Sequence, residues 1–183
     1  WISESQKGFL SGRSMLGNVL DVEHEAMSFS LTEESAALIF FDFEDAFPSI
    51  SHDFMWKVLN HVGLPDFFLN AIKRFYVENQ HYIKIGGGTF KACLATSGVR
   101  QGCPLSPLLF AIVADILLRK LVSTFPDALV RAFADDAAMV ARNFHHTAPA
   151  SMKLFQTYRD MTGLPRNTPK TVLIPPVPYP PLT

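Results

Sequence analysis

Residues 132–140 read AFADDAAMV, and two adjacent aspartates, Asp135 and Asp136, stand there in an apolar run with no further lysine or arginine until Arg142. Two like charges side by side repel, and burying either costs several kcal/mol unless a cation or hydrogen bonds compensate. For a lone pair a solvated hairpin turn is answer enough, since aspartate is common in turns. A second acidic stretch opens another answer. In IFFDFEDAF (39–47) Asp42 interrupts a buried apolar strand. Glu44 follows on the same strand face, with Phe43 on the other. If this strand lies beside residues 132–140, Asp42 and Asp135 converge at one end of a sheet. Carboxylates gathered in this way make an oxygen-rich site for a hard divalent cation. Mg²⁺ suits it, taking one or two carboxylates together with water and substrate phosphates. Two such ions about 3.5–4 Å apart clamp the attacking and leaving oxygens of a phosphoryl transfer. Paired charges are then tolerable because metal neutralises them.

The elements that must place these residues are legible from periodicity. Residues 14–31 carry apolar residues at helical spacing from Met15 to Met27, and AALIFFDF (36–43) is too short for a helix and reads as a buried strand. Ser51 is placed to cap a helix over 52–62, and a further helix starts at Pro65. HYIKIGGGTFKACLA (81–95) reads as two strands around a glycine turn. Its triple glycine lacks the strand–GxxxxGK[ST]–helix context of a phosphate loop. Ser106 and Pro107 read as an N-cap and first-turn proline of a long helix reaching about Thr124. A second hairpin over 129–142 has the aspartate pair as its tight connection. A helix over about 147–162 and a short strand TVLI (171–174) complete the order. The expected class is α+β, an antiparallel sheet backed by helices. PPVPYPPLT (175–183), with five prolines in nine residues, is expected to be extended or disordered rather than a central strand.

Composition bounds the rest. The chain has 183 residues, 48% hydrophobic and 18% charged, enough for one core. Its longest apolar stretch, LLFAIVADILL (108–118), is broken by Asp115 and too short to span a bilayer, so no membrane partner is expected. WISESQKGFL has neither the basic start nor the apolar region of a secretory signal, and two cysteines imply no disulfide framework. Both point to an intracellular protein. The lack of an initiator methionine suggests a piece of a longer polypeptide. Net charge is −1, but residues 1–70 hold three Lys/Arg against eleven Asp/Glu, and residues 71–183 thirteen against six. That asymmetry permits a basic face on the second half.

Five blocks in order, QKGFLSGRS (6–14), FFDFEDAFPSIS (40–51), SGVRQGCPLSPLLF (97–110), FADD (133–136) and GLPRNTPKT (163–171), give the chain its resemblance. It resembles the catalytic core of a reverse transcriptase, most closely of the non-LTR, LINE-like retrotransposon type and more distantly the group II intron enzymes. The resemblance covers residues 6–174. It implies a polymerase palm with partial fingers over 1–174, no thumb, and an RNA-directed DNA polymerase that extends a primer 3′-hydroxyl on dNTPs.

Under the resemblance Asp42, Asp135 and Asp136 form the metal-binding triad for two Mg²⁺, with Mn²⁺ as a substitute, and the backbone carbonyl of Phe43 is an added ligand. Asp135 is expected to coordinate directly and Asp136 to be peripheral. Phe47 would lie under the incoming sugar and exclude a 2′-hydroxyl. Arg100, Gln101 and Gly102 match the stretch against the nucleotide and template, and Lys170 matches a lysine near the triphosphate that stabilises the leaving pyrophosphate. Arg13 is assigned to the template. Implied partners are an RNA template, a DNA primer, dNTPs and the remaining fingers and thumb of the same polypeptide. Departures are Pro48, where relatives have aspartate, Phe133 in place of tyrosine, and Arg166 in a usually apolar position. Two alternatives stand beside this reading: an RNA-dependent RNA polymerase on a similar palm, and a catalytically inactive remnant that binds RNA. His145 and His146 lack the i,i+4 spacing of a helical metal pair and read as a surface loop.

Overall fold

A computed structural model describes residues 1–165 and 167–175. The proline-rich stretch from 176 onward and Arg166 lie outside the described residues. Helix α1 (Met15–Thr32) is capped by the Ser14 side chain and leads into strand β1 (Ala37–Phe41). A single helical turn α2 (Ala46–Ser49) precedes α3 (His52–His61), capped by Ser51, and α4 (Asp66–Tyr76). Strands β2 (Gln80–Ile85) and β3 (Gly88–Leu94) form a separate exposed hairpin. Helix α5 (Ser106–Thr124), hairpin β4 (Leu129–Phe133) and β5 (Asp136–Ala141), helix α6 (Phe144–Thr162) and strand β6 (Val172–Ile174) follow.

The main sheet has the order β4-β5-β1-β6 and is antiparallel throughout. Alternation along β1 and β5 gives it two faces. Ile39, Phe41, Phe43, Ala137 and Met139 face the principal core, built with Leu109, Phe110, Val113 and Leu117 of α5 and Phe155 and Tyr158 of α6. Phe41 stacks on Phe155 with centroids 4.4 Å apart. The opposite face meets α1 through Val22, Phe29 and Val140. This is the expected α+β plan, with β1 lying between β5 and β6.

Three local expectations are corrected. Pro65 is the N-cap of α4, not its first turn. Leu105, not Ser106, occupies the N-cap of α5, because Ser106 is already helical and fully buried. His145 and His146 lie in the first turn of α6, which starts at Phe144 under a cap from Asn143. Along α1, only Asn18, Val22 and Phe29 are buried. Met15, Val19, Ala26 and Met27 border an open groove of about 820 Å³ over Phe40, Val140 and Ile174, and Leu16, Leu20 and Leu31 are exposed.

Asp115, the charge inside the apolar run of α5, is fully buried and fully engaged. Arg119 Nε donates to it at 2.7 Å, and the Ser3 backbone N–H donates to both oxygens at 3.1 Å. A buried carboxylate is tolerated only when paired and hydrogen-bonded in this way. The chain start is thereby tied to the middle of the molecule.

Candidate active site

Strand β1 stops at Phe41, whose partner on β5 is Ala137. One step further, the antiparallel register sets Asp42 across from Asp136, the first residue of β5. Phe133 pairs with Asp136, so the turn of the β4–β5 hairpin consists of Ala134 and Asp135, not of the expected aspartate pair, because Asp136 already belongs to the ladder of β5. The two acidic stretches therefore meet at one end of one sheet, because β1 lies beside β5.

Backbone bonds hold Asp42 and its neighbours from the other side. The Asn167 N–H donates to the Asp42 carbonyl at 2.8 Å, and the Glu44 N–H to the Pro165 carbonyl at 2.9 Å. These bonds set Pro165 and Asn167 beside the exit of β1, and Lys170 Nζ lies 3.5 Å from Asp42 Oδ2. That oxygen is buried and accepts no hydrogen bond. Phe43 is anchored in the core, its ring 6.0 Å from Phe155 and 6.5 Å from Tyr158, so only its backbone can serve the site.

Electrostatics single out Asp136. Burial first, then the carboxylates of Asp135 and Asp42, hold its carboxyl above the usual aspartate range, and Lys170 opposes them. So Asp136, expected at the periphery, lies in the field of both partners. Among the described residues no three histidine, cysteine or carboxylate side chains converge into a ready ligand set. What does fit a hard divalent cation is the donor chemistry: oxygens only, one of them buried without a hydrogen-bond partner, and mutual repulsion that added positive charge relieves.

The sign of that repulsion can be measured. A carboxyl raised in the folded state binds its proton more tightly there than in the unfolded chain, so stability falls as pH rises through the interval between its two pKa values. Asp136→Asn removes the penalty. The metal-free variant is expected to melt above wild type at pH 7, and the difference to vanish below the ordinary aspartate range. Equal melting temperatures at pH 7 would refute the repulsion.

Phe47, on the α2 turn, is half-buried against Phe110, the rings nearly parallel at 5.2 Å, and edge-on to Phe9 at 6.3 Å. The 97–102 loop is stitched to it: Val99 N–H donates to the Phe47 carbonyl at 2.7 Å, and Gly98 N–H to that of Ile50 at 2.7 Å. Arg100 lies just beyond, bonded to Asn79 Oδ1 at 2.9 Å with its guanidinium 5.9 Å from the Tyr76 ring centre. Gln101 and Gly102 are exposed in the turn ahead of α5, and Gly102 has φ +80°. The structure thus brings Phe47 and the Arg100–Gly102 stretch to neighbouring loops.

Arg13 does not reach outward. Its guanidinium donates to the carbonyls of Ile2, at 2.9 Å, of Ser3, and of Gln6, at 2.6 Å. It clamps the first residues of the chain, in place of the template role assigned to it. Those residues hold what sequence reading passed over. Gln6 is fully buried, and its side-chain amide bonds both backbone groups of Ala134 in the Asp135 turn. The one signal was its place at the head of QKGFLSGRS.

Three kinds of likeness accord with this geometry. Residues 1–180 match the family described as reverse transcriptase (RNA-dependent DNA polymerase). The chain is 29% identical over 180 residues to a retrovirus-related Pol polyprotein from type-1 retrotransposable element R2 of Popillia japonica, covering 93% of this chain and 25% of that protein. It is 30% identical over 142 residues to the corresponding polyprotein of type-2 element R2DM of Drosophila melanogaster, covering 74% and 13%. The chain thus spans a quarter or less of these relatives. In three dimensions it is similar to a telomerase from Candida albicans, solved in complex with a fragment of telomeric RNA, with a TM-score of 0.73 at 13% identity over 97% of this chain and 33% of that one. At that identity the likeness concerns the fold, a polymerase palm.

Proposed function

The chain belongs to the reverse transcriptase (RNA-dependent DNA polymerase) family, of the non-LTR retrotransposon type, and from that premise we propose that it carries the catalytic palm of an RNA-directed DNA polymerase. One observation carries the proposal: the register of β1 against β5 brings Asp42, Asp135 in the β4–β5 turn and Asp136 at the start of β5 to one sheet end, with Lys170 beside them. Asp42, the Phe43 carbonyl, Asp135 and Asp136 are the groups that would hold two Mg²⁺, or Mn²⁺ in their place. Bound there, the ions would supply Lewis-acid activation of the primer 3′-hydroxyl and neutralise the departing pyrophosphate.

The chain's own residues do the remainder. Lys170, 70% exposed and able to swing from Asp42, presents its ammonium to the leaving pyrophosphate. The exposed Arg100–Gly102 turn lies against the nucleotide and the RNA template, Gln101 supplying hydrogen bonds and Gly102 close backbone approach. Phe47, fixed by Phe110 and by the Val99 bond, offers its ring edge to the sugar and leaves no room for a 2′-hydroxyl. The test is primer extension on an RNA template with dNTPs and rNTPs supplied separately. Wild type should use dNTPs. Phe47→Val should cut the preference for dNTP over rNTP by roughly 10–200-fold, the discrimination available from steric fit in a pocket. An unchanged ratio would remove Phe47 from the sugar site, and wild-type preference for rNTPs would favour an RNA-dependent RNA polymerase. Absence of any incorporation would leave a remnant without catalysis.

A further inference from the structure

Ala134 is an alanine with φ +58°, a left-handed conformation in which a Cβ is strained. It immediately precedes Asp135, so the direction in which that carboxylate leaves the hairpin depends on this backbone being held. Gln6 holds it. Its Nε2 donates to the Ala134 carbonyl at 3.0 Å, while its Oε1 accepts from the Ala134 N–H at 3.0 Å and from the Gly8 N–H at 2.8 Å.

A glutamine amide donates and accepts at once from one rigid plane, through two atoms on the same carbon. A carboxylate cannot donate, an ammonium cannot accept, and an asparagine is one methylene short. The approach is also close. A Cβ on Gly8 would stand 2.1 Å from the Ala134 nitrogen, so this pairing needs glycine there. The segment carrying Gln6 is in turn fixed on both sides. Lys7 N–H donates to the Ala132 carbonyl at 2.9 Å and Ala132 N–H to that of Ser5 at 2.7 Å, a short parallel bridge to β4. Arg13 ties down three carbonyls of residues 2–6, and buried Asp115 secures Ser3.

We infer that Gln6 is a positioning residue for the catalytic carboxylates: its buried amide locks the strained Ala134 peptide and so aims Asp135. The inference rests on the polymerase reading for its kinetic consequence, though not for its structural one. Strain kept at a functional turn persists only where the surroundings over-determine it, and Gln6, Gly8 and the bridge to β4 do so here.

Gln6→Met keeps the length and the apolar stem and removes every hydrogen bond. Tyr158→Phe is its control, keeping the ring that packs on Phe43 and deleting only a buried hydroxyl, which donates to the Val113 carbonyl at 2.8 Å and not to the turn. At equal fraction folded, Gln6→Met is expected to lower kcat roughly 100-fold, to shift KM for dNTP less than about threefold, and to raise the half-saturating Mg²⁺ concentration, because misplacement by about 1 Å suffices for such a loss. Tyr158→Phe should leave all three unchanged. Independently of catalysis, the Ala134 amide should exchange with solvent at least about tenfold faster in Gln6→Met, measured against the amides of β5. If Gln6→Met polymerises like wild type, or loses no more than Tyr158→Phe, the positioning role is overturned. Should the Ala134 amide stay protected, the lock itself is disproved. A wild-type chain that fails to polymerise defeats the polymerase reading, and amide exchange then still decides the lock.

Discussion

Asp135→Asn should abolish dNTP incorporation, by at least about a thousandfold, without unfolding the chain. The size follows from what the carboxylate does in the proposed reaction. Charge at a transferring phosphoryl group is stabilised chiefly by preorganised electrostatics, and loss of one neutral donor in comparable sites already costs about 10²–10³ in rate. A missing formal charge at a cation site should cost no less. The fold should survive because asparagine has the same shape and the turn is held through the backbone of Ala134, not through the Asp135 side chain. Asp135 also helps to raise the carboxyl of Asp136, so its neutralisation relieves repulsion. Single-turnover primer extension beside a melting curve on the metal-free variant separates the two effects. Activity within tenfold of wild type would remove Asp135 from the reacting centre. A lowered melting temperature would show that the carboxylate holds the turn.

Much of this site was legible in the chain because its logic is local. The short Phe-rich run reads as a buried strand and is one, and the aspartate pair marks the end of a hairpin, though the turn itself falls one residue earlier, at Ala134 and Asp135. Antiparallel register then did the rest, carrying Phe41 opposite Ala137 and the acids to one edge. What stayed hidden depends on long-range pairing. Gln6 and Ala134 are 128 residues apart, and no periodicity marks an amide whose partner is a peptide group. Arg13 misled for a related reason: an arginine in a polar block looks outward-facing, yet its fork matches three carbonyls of its own neighbourhood. In α1 the helical period was right, but only a narrow edge, Val22 and Phe29 foremost, meets the sheet. Periodicity tells which residues share a face and not whether a neighbour covers it. Ser106 failed as a cap because burial against α5's neighbours took priority over local capping preference.

Two glycines of similar conformation should behave very differently when given a side chain. Gly98 and Gly102 have φ of +83° and +80°, so alanine at either meets the same left-handed strain, about 1–2 kcal/mol. Their surroundings differ. A Cβ at Gly102 has nothing within 4 Å, whereas at Gly98 it would lie 2.5 Å from the Pro48 carbonyl oxygen and 2.6 Å from the Pro48 Cα. Both obstacles are backbone and cannot swing aside. They also belong to the segment that is stitched to residues 97–99 by the Gly98–Ile50 and Val99–Phe47 bonds and by His52 Nε2 donating to the Gly98 carbonyl at 2.8 Å. Relief of the overlap must therefore move the α2 turn, at an added cost of about 1–3 kcal/mol for overpacking. Gly98→Ala should lose about 2–5 kcal/mol in all, a fall in melting temperature of roughly 4–20 °C for a chain of this size, against a few degrees for Gly102→Ala. Because the displaced turn carries Phe47, folded Gly98→Ala should also discriminate less well between dNTP and rNTP. Equal melting of the two variants would mean that the 97–99 loop does not press on Pro48, and the assignment of Phe47 to a rigid sugar-excluding position would lose its mechanical basis.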